Sequence, residues 1–248
     1  ISFLNDSEVF NGNEYSEGAI ICTNSIRNKL NDNISLIVVG NVQETVSILS
    51  NIFYRSFKKS EINALDTAKI GSNCDISKSA VIENGAIIGK NVKIGHGCIV
   101  GFNCIIGDNS IIDNNSVISN SIIAENVNIG RNTSIGQQGF GFFINKKKNE
   151  RIFHIGRVIL QSGVNIGANC TIDRGSFSDT IIGSNTYFDN LCHIAHNVVI
   201  GNNCIFAAMT GIAGSTKIGD NVMTGGQTGI AGHLTIGDNV KIAAQSGV

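Results

Sequence analysis

The sequence of 248 residues contains no proline and no tryptophan, although average usage would predict about 12 prolines. Glycine and asparagine must therefore make its sharp turns, because both tolerate the left-handed backbone region. Neither sign of charge dominates, since the formal net charge is −1. This balance argues against nucleic acid as the main partner, because phosphate binding requires a concentrated basic surface.

Long apolar runs are also missing, and none approaches the roughly 20 residues that cross a bilayer, so no transmembrane segment is predicted. No signal peptide is recognised, and the chain opens on Ile1-Ser2-Phe3-Leu4 without a methionine, which predicts a trimmed start. The seven cysteines include no CxxC pair of the kind that indicates zinc or redox chemistry. We therefore expect free thiols and a reducing, cytoplasmic location.

An apolar residue recurs at every sixth position over most of the chain, and only Thr224 breaks the rule. A period of six contains the strand period of two, so each repeat reads as one short strand plus a corner. Three repeats close a triangular coil, and coils stack through parallel ladders about 4.8 Å apart. The pattern predicts a parallel β-helix whose inward positions are these: Ile70, Ile76, Ile82, Ile88, Ile94, Val100, Ile106, Ile112, Ile118, Ile123, Ile129, Ile135, Leu160, Ile166, Ile172, Ile182, Phe188, Ile194, Ile200, Phe206, Ile212, Ile218, Thr224, Ile230, Ile236, Ile242 and Val248.

The corners of the predicted helix carry a Gly-x-Asn sequence ten times, as expected for left-handed turns. The asparagines are Asn73, Asn91, Asn103, Asn109, Asn132, Asn169, Asn185, Asn203, Asn221 and Asn239. Six cysteines occupy one slot, two residues before an inward position, and we interpret them as small buried hydrophobes. They are Cys74, Cys98, Cys104, Cys170, Cys192 and Cys204.

The first 62 residues lack the six-residue period. Strands are predicted at 19–22 and 34–39, and a helix at 42–53 with Asn41 as its N-cap. We therefore predict a small α/β domain over residues 1–62, with a linker at 55–61. The β-helix would then occupy residues 63–248.

Two breaks interrupt the repeat, and insertions in solenoids often mark the functional face. The first, at 137–153, contains Gly139-Phe140-Gly141-Phe142, which fits either a plain surface hairpin or a flap that lines a substrate groove. It also contains Lys146-Lys147-Lys148, which fits a solvated loop tip. The second break, at 173–176, bulges one corner.

Five histidines are present: His96, His154, His193, His196 and His233. His196, Gly214 and Gly232 are spaced by one coil each, so they are predicted to form one column along an edge, with His233 one residue away. A general base beside an unobstructed backbone N–H is what acyl transfer requires. The nearby serines and threonines occupy repeat slots, so no covalent nucleophile is predicted.

A zinc site is the alternative use of these histidines. Carbonic anhydrases on a parallel β-helix hold zinc with three histidines, two of them typically five residues apart. Here the close pair, His193 and His196, is three apart, so no metal is predicted.

Five short motifs accompany the histidines and the two breaks. They read Gly139-Phe-Gly-Phe142, Thr171-Ile-Asp-Arg-Gly-Ser176, His193-Ile-Ala-His196-Asn-Val, Ile212-Ala-Gly-Ser-Thr216 and Gly225-Gly-Gln-Thr-Gly-Ile-Ala-Gly-His233. Together they resemble the UDP-3-O-(3-hydroxyacyl)glucosamine N-acyltransferases, hexapeptide-repeat enzymes of lipid A and hence lipopolysaccharide biosynthesis. The opening Ile1-Ser-Phe-Leu4 also resembles the uridine-binding domain of that family.

The resemblance implies a left-handed parallel β-helix, mainly β, and a homotrimer with active sites between neighbouring subunits. The reaction would move a 3-hydroxyacyl chain from acyl carrier protein to the 2-amino group of the UDP-sugar. The donor carries its own phosphopantetheine, so no separate cofactor is implied.

The resemblance also assigns residues. His196 would be the general base and Gly214 the oxyanion donor. Substrate-binding roles would fall to His233, Asn190, Asp189, Phe3 and Asp6. Within that set Phe3 would stack on the uracil, and Asp189 would orient the base.

The sequence departs from the family pattern at three places. The family usually has Asn at Asp6, an aromatic residue at Val9 and an acid at Gln138. Asp6 and Val9 stand where the family contacts the nucleotide. Family members also continue beyond Val248 through more coils and a helical segment.

Two other functions remain open at this point. One is a related UDP-sugar O-acyltransferase or an acetyl-CoA-dependent sugar N-acetyltransferase on the same fold, although these do not usually carry the N-terminal domain. The other is a non-catalytic solenoid used as a scaffold, in which the edge column would have no chemical role.

Overall fold

The computed structural model describes residues 2–4, 19–27, 35–62, 67–144 and 149–248. The chain divides into two compact units, one of residues 1–56 with 141–153 and one of residues 57–140 with 154–248. The hairpin of the first insertion therefore clusters with the N-terminal segment. The boundary predicted between residues 62 and 63 stays a prediction.

The larger unit consists of three parallel sheets that follow one another along the chain, which we call faces 1, 2 and 3. Face 1 has nine strands: Lys69–Ile70, Ile87–Ile88, Ile105–Ile106, Ser121–Ile123, Val158–Leu160, Thr180–Ile182, Val199–Ile200, Lys217–Ile218 and Thr235–Ile236. Face 2 has nine: Asp75–Ile76, Lys93–Ile94, Ile111–Ile112, Asn128–Ile129, Asn165–Ile166, Tyr187–Phe188, Ile205–Phe206, Met223–Thr224 and Lys241–Ile242. Face 3 has eight: Val81–Ile82, Ile99–Val100, Val117–Ile118, Ser134–Gln137, Thr171–Asp173, His193–Ile194, Gly211–Ile212 and Gly229–Ile230.

The predicted fold class is confirmed, because the described chain is mainly β and its repeats wind into a parallel β-helix. Each strand pairs with the strand one coil later, as in Ile87 with Ile105. Most of the predicted inward residues form one continuous core, but Ile70 in the first coil is 53% exposed and Val248 in the last coil is 44% exposed. Thr224 is buried, and its hydroxyl contacts the Thr210 hydroxyl at 2.9 Å. The left-handed winding remains what the resemblance implies.

The asparagine corners are also confirmed. All ten asparagines of the Gly-x-Asn sequences have φ between 54° and 61°. We call the corner between faces 1 and 2 corner A, that between faces 2 and 3 corner B, and that between faces 3 and 1 corner C. His233 and Ser215 take the same left-handed conformation at corner C, with φ of 61° and 63°.

The slot that holds six cysteines has a role that the sequence interpretation missed. Its side chains donate hydrogen bonds to corner carbonyls of the next coil, as Cys98 Sγ does to Asp113 at 3.0 Å and Thr133 Oγ1 to Gly167 at 2.9 Å. Serine, threonine and cysteine alternate there because each is small and carries a donor. All seven thiols are free, and burial raises the pKa of Cys104 to about 11, which makes it a poor nucleophile.

The smaller unit contains a three-stranded parallel sheet with the order β1 (Ser2–Phe3), β2 (Ala19–Cys22) and β3 (Ser35–Val38). Helix α1 spans Asn24–Arg27 and helix α2 spans Val42–Ile62. Asn41 caps α2 as predicted, since its Oδ1 accepts the Glu44 N–H at 3.0 Å. The predicted linker at 55–61 is helical in the structure, and its role as a linker stays a prediction. The segment has no glycine or proline to end the helix, so α2 continues through it.

The first insertion forms an antiparallel hairpin, with strands at Phe142–Ile144 and Asn149–Arg151. Within the smaller unit, Phe153 stacks on Tyr54 at 4.7 Å, and its N–H donates to Ser50 Oγ at 3.0 Å. A hairpin was one of the two predictions for this segment. Lys146-Lys147-Lys148 lies outside the described residues.

Replacing Asn221 by alanine should destabilise the protein by about 1–2 kcal/mol, because a non-glycine residue other than asparagine is strained at its φ of 58°. Asn221→Gly should stay within a few tenths of a kcal/mol of the parent. Urea unfolding measures both. Asn128→Ala is the matched control, since Asn128 is an exposed asparagine on a strand. An equal loss in Asn128→Ala and Asn221→Ala would contradict the corner account.

Candidate active site

Corner C brings together the residues of the predicted column. Ser215 N–H donates to the His196 carbonyl at 3.0 Å, and His233 N–H donates to the Gly214 carbonyl at 3.1 Å. These ladder bonds stack three successive coils in register. The column of His196, Gly214 and Gly232 predicted from the spacing is therefore present.

His196 and Gly214 are in direct contact. A Cβ atom built on Gly214 would lie 2.8 Å from both Nε2 and Cε1 of His196. The imidazole thus occupies the space that a side chain at position 214 would take. Only glycine permits this approach, which leaves the ring edge beside the Gly214 backbone.

A groove of about 700 Å³ runs along the outer side of face 3 next to this contact. Its outward strand positions in successive coils are His193, Gly211, Gly229 and Gly247. Among the described lining residues, the only polar side chains are those of His193 and His196. The exposed ring of Phe140 closes one side of the groove. The arrangement offers a narrow apolar channel with two imidazoles at one end.

Asn197 fixes the orientation of His196, and sequence reasoning missed it. Its Oδ1 accepts the Ser176 N–H at 2.9 Å, and its Nδ2 lies 3.2 Å from the Ser178 carbonyl, so the amide cannot be reversed. The same Oδ1 lies 3.0 Å from Nδ1 of His196. Because that oxygen only accepts, Nδ1 must carry a proton, so in the neutral imidazole the lone pair is on Nε2. The corner bulge around residue 176 therefore serves to hold this amide.

His154 is the second residue that the sequence did not place. It is 1% exposed, and its ring meets the His196 ring edge-on at 4.7 Å. The Gln138 amide fixes its backbone, donating to the His154 carbonyl at 2.9 Å and accepting its N–H at 2.8 Å. Gly139 has no room for a side chain, since a Cβ there would lie 2.6 Å from the His154 ring. This packing excludes water from one side of His196.

His193 lies at the head of the groove. Its Nδ1 is 2.7 Å from the Thr171 hydroxyl, and its Nε2 is 3.9 Å from the carboxylate of Asp173. Asp173 is nearly buried and accepts a hydrogen bond from Gln137 at 3.1 Å.

The other predicted site residues do not all lie at corner C. Asp189 and Asn190 are at corner B, on the opposite side of face 3, and the Asp189 carboxylate accepts the Asn190 N–H at 2.7 Å. The Asp189 carboxylate therefore does not contact His196 of the same chain. His233 is exposed at corner C. Phe3 packs in the smaller unit beside Ile21, and Asp6 and Val9 lie outside the described residues.

No group of three potential metal-binding side chains occurs in the described part of the chain. No described helix combines the length and hydropathy needed to cross a membrane.

Two family models match the β-helix. Residues 64–176 match the model described as the GMPPB C-terminal domain. Residues 179–214 and 215–248 each match the bacterial transferase hexapeptide model of six repeats. These family matches therefore support the interpretation of the sequence as six-residue repeats.

Curated proteins give local matches. UDP-3-O-acylglucosamine N-acyltransferase of Leptospira biflexa is 49% identical over 59 residues, which are 24% of this chain and 17% of that protein. The protein of the same name from Methylobacterium nodulans is 56% identical over 63 residues, 25% of this chain and 18% of that protein. The resemblance to this group of acyltransferases is confirmed. The matched part spans less than a fifth of the length of these relatives.

Solved structures give longer matches. UDP-N-acetylglucosamine acyltransferase from Campylobacter jejuni has a TM-score of 0.62 and 29% identity, covering 70% of this chain and 66% of that one. The Francisella novicida UDP-N-acetylglucosamine acyltransferase has a TM-score of 0.57 and 25% identity, covering 71% of this chain and 60% of that one.

Replacing Gly214 by alanine should displace the His196 ring, because the new Cβ would lie 2.8 Å from it. The change should alter the free energy of unfolding by less than about 1 kcal/mol, because the ring can swing toward the groove. Crystal structures and imidazole NMR shifts report the displacement. Gly229→Ala is the matched control, since nothing lies within 4 Å of its Cβ position. An unmoved His196 in Gly214→Ala would contradict the contact.

Proposed function

We propose that this chain is the N-acyltransferase that moves a 3-hydroxyacyl group from acyl carrier protein to the 2-amino group of UDP-3-O-(3-hydroxyacyl)glucosamine. The observation that carries the proposal is the His196 ring in contact with Gly214 at the head of an apolar groove. Local identity to UDP-3-O-acylglucosamine N-acyltransferases supports the choice of substrate class.

His196 would act as the general base. Its Nδ1 proton is held by Asn197, so Nε2 is free to accept the proton of the attacking amine. The amine nitrogen bonds to the thioester carbonyl carbon, and the carbonyl oxygen becomes an oxyanion. When the intermediate collapses, the C–S bond breaks and the proton on Nε2 passes to the leaving thiolate.

Gly214 would stabilise the oxyanion. Among the described residues its backbone N–H has no hydrogen-bond partner, and it lies beside the His196 ring. An uncommitted donor at the point where negative charge develops is the geometry that lowers such barriers.

The donor would lie along the glycines of face 3. Gly211 and Gly229 present no side chain to the groove, so a thin chain such as phosphopantetheine or an acyl tail fits there. Phosphopantetheine arrives with the carrier protein, which is why we propose no resident cofactor. The proposal keeps the substrate-binding roles that the resemblance assigns to His233, Asn190, Asp189, Phe3 and Asp6.

We propose a homotrimer as the working form. On face 1, six consecutive outward positions are aliphatic: Ile87, Ile105, Ile122, Ile159, Ile181 and Val199. Three of these are 37–42% exposed in the single chain. A continuous apolar stripe of this kind marks an association surface, and repeated heterologous contacts close into a ring. The seven free thiols fit the cytoplasmic location that we include in the proposal.

A related O-acyltransferase is the second candidate. It is favoured by the solved structures, which are named UDP-N-acetylglucosamine acyltransferases. The two candidates differ in the acceptor, which is an amine in one and a sugar hydroxyl in the other. Assaying the intact protein with both UDP-sugars decides between them.

Replacing His196 by alanine should lower kcat by about 10²–10⁴, the usual contribution of a general base. Acyl transfer from 3-hydroxyacyl carrier protein to the UDP-sugar amine measures it in the intact protein. His96→Gln is the control, because His96 lies at corner B against Ser77, outside the groove. Near-unchanged turnover in His196→Ala would refute the assigned base.

Introducing a charge at Ile159 should break the trimer, because Ile159→Glu places a carboxylate in the middle of the stripe on face 1. Sedimentation velocity should show a smaller species. Ile111→Glu on face 2 is the matched control, since Ile111 is an exposed outward isoleucine there. If Ile159→Glu stays trimeric, face 1 is not the interface.

A further inference from the structure

Six corner amides in the described helix, all at corners A and B, are capped by a side chain from the next coil. In these six cases the residue two positions after an inward residue donates its N–H toward the equivalent residue one coil later. In six cases an Asp or Asn at that equivalent position accepts the bond, at 2.7–2.9 Å. The donor and acceptor pairs are Lys90 with Asp108, His96 with Asn114, Ala168 with Asn190, Ser184 with Asn202, Asn202 with Asp220, and Asp220 with Asp238.

The column that holds His196 lacks these caps. The residue one coil after His196 is Gly214, and the residue one coil after Gly214 is Gly232, so neither has a side-chain oxygen to offer. Within the described part of the chain, the Gly214 N–H makes no hydrogen bond. The stacking itself is regular, since His233 N–H still reaches the Gly214 carbonyl at 3.1 Å.

A cap would fit at this position after a backbone shift of a few tenths of an ångström, because the contact made by its Cβ is tight. A Cβ atom built on Gly232 would lie 3.1 Å from the Gly214 carbonyl oxygen and 3.9 Å from the Gly214 nitrogen. The side-chain oxygen of Asn or Asp lies beyond Cβ, within hydrogen-bonding reach of that nitrogen. The missing cap at Gly214 is therefore a consequence of the residue type at position 232.

We propose that Gly232 is a positioning residue that keeps the Gly214 N–H open to the reacting carbonyl oxygen. The inference rests on the proposed acyl transfer, and it adds a residue with no assigned role to that site. Gly232 acts through Gly214 and does not itself touch the reacting atoms. An acceptor at position 232 would occupy the N–H before the substrate arrives, and its negative end would repel the oxyanion.

Replacing Gly232 by asparagine should lower kcat by about 10²–10³, the usual effect of losing one oxyanion-hole donor, with KM changed only a few-fold. Gly232→Asp should lose at least as much. Gly232→Ala adds the Cβ atom without an acceptor, so its loss should be at least tenfold smaller. Steady-state assays of the intact protein measure all three.

Amide NMR on the same variants gives a readout that does not depend on turnover. The Gly214 amide should exchange freely in the parent and in Gly232→Ala, and should shift and become protected in Gly232→Asn. Gly226→Asn is the matched structural control. Gly226 occupies the same repeat position at corner B, and its Cβ would meet only the Ala208 carbonyl at 3.3 Å, so the Ala208 amide should become capped.

Three results would overturn the inference. The first is a Gly214 amide already protected in the parent. The second is an amide that Gly232→Asn leaves unchanged. The third is a capped Gly214 amide with the same kcat as Gly232→Ala. Absence of acyl transfer in the parent would refute the proposed function instead, and the amide measurements would still decide whether Gly232 leaves Gly214 open.

Discussion

The parallel ladder between successive coils is the constraint on which the rest of this structure depends. Because every strand pairs with the strand one coil later, any residue is stacked on its equivalents above and below. That register places His196 against Gly214 and aligns the glycines of face 3 into a groove. It survives the insertions as well, since Thr171 still pairs with His193 across the bulged corner. A slip of one residue would turn the core outward and separate the two site residues together.

Strict periodicity explains how much could be predicted from the sequence. The inward residues, the left-handed asparagines and the His196 column all follow from the six-residue spacing. The ladder keeps this spacing, because it holds equivalent residues of successive coils in register. His154 and Asn197 could not be found in this way. Each depends on an insertion: the first break returns the chain so that His154 meets His196, and the corner bulge brings Ser176 to Asn197. The same six-residue spacing also locates Asp189 and Asn190, and it places them at corner B.

Within the repeat, the same positions serve stability in one column and chemistry in another. At corner A, Asp220 and Asp238 satisfy backbone amides of the coil before them, which is worth roughly 0.5–1.5 kcal/mol for a typical hydrogen bond. At corner C, two successive positions are glycine, so this side-chain hydrogen bond is absent at both. The loss is small enough for a stack of many coils to absorb, because neighbouring ladder bonds remain intact.

The two glycines of corner C are required for different physical reasons, although both lack a side chain. Gly214 has to be glycine because the His196 ring fills the place of its Cβ. At Gly232 a Cβ would lie 3.1 Å from the Gly214 carbonyl oxygen, a tight contact that a shift of a few tenths of an ångström relieves, and no side chain fills the space. Glycine at position 232 provides no side-chain hydrogen-bond acceptor for the Gly214 N–H. Alanine therefore separates the two cases: at 214 it displaces the base, whereas at 232 it leaves the base and the open N–H in place.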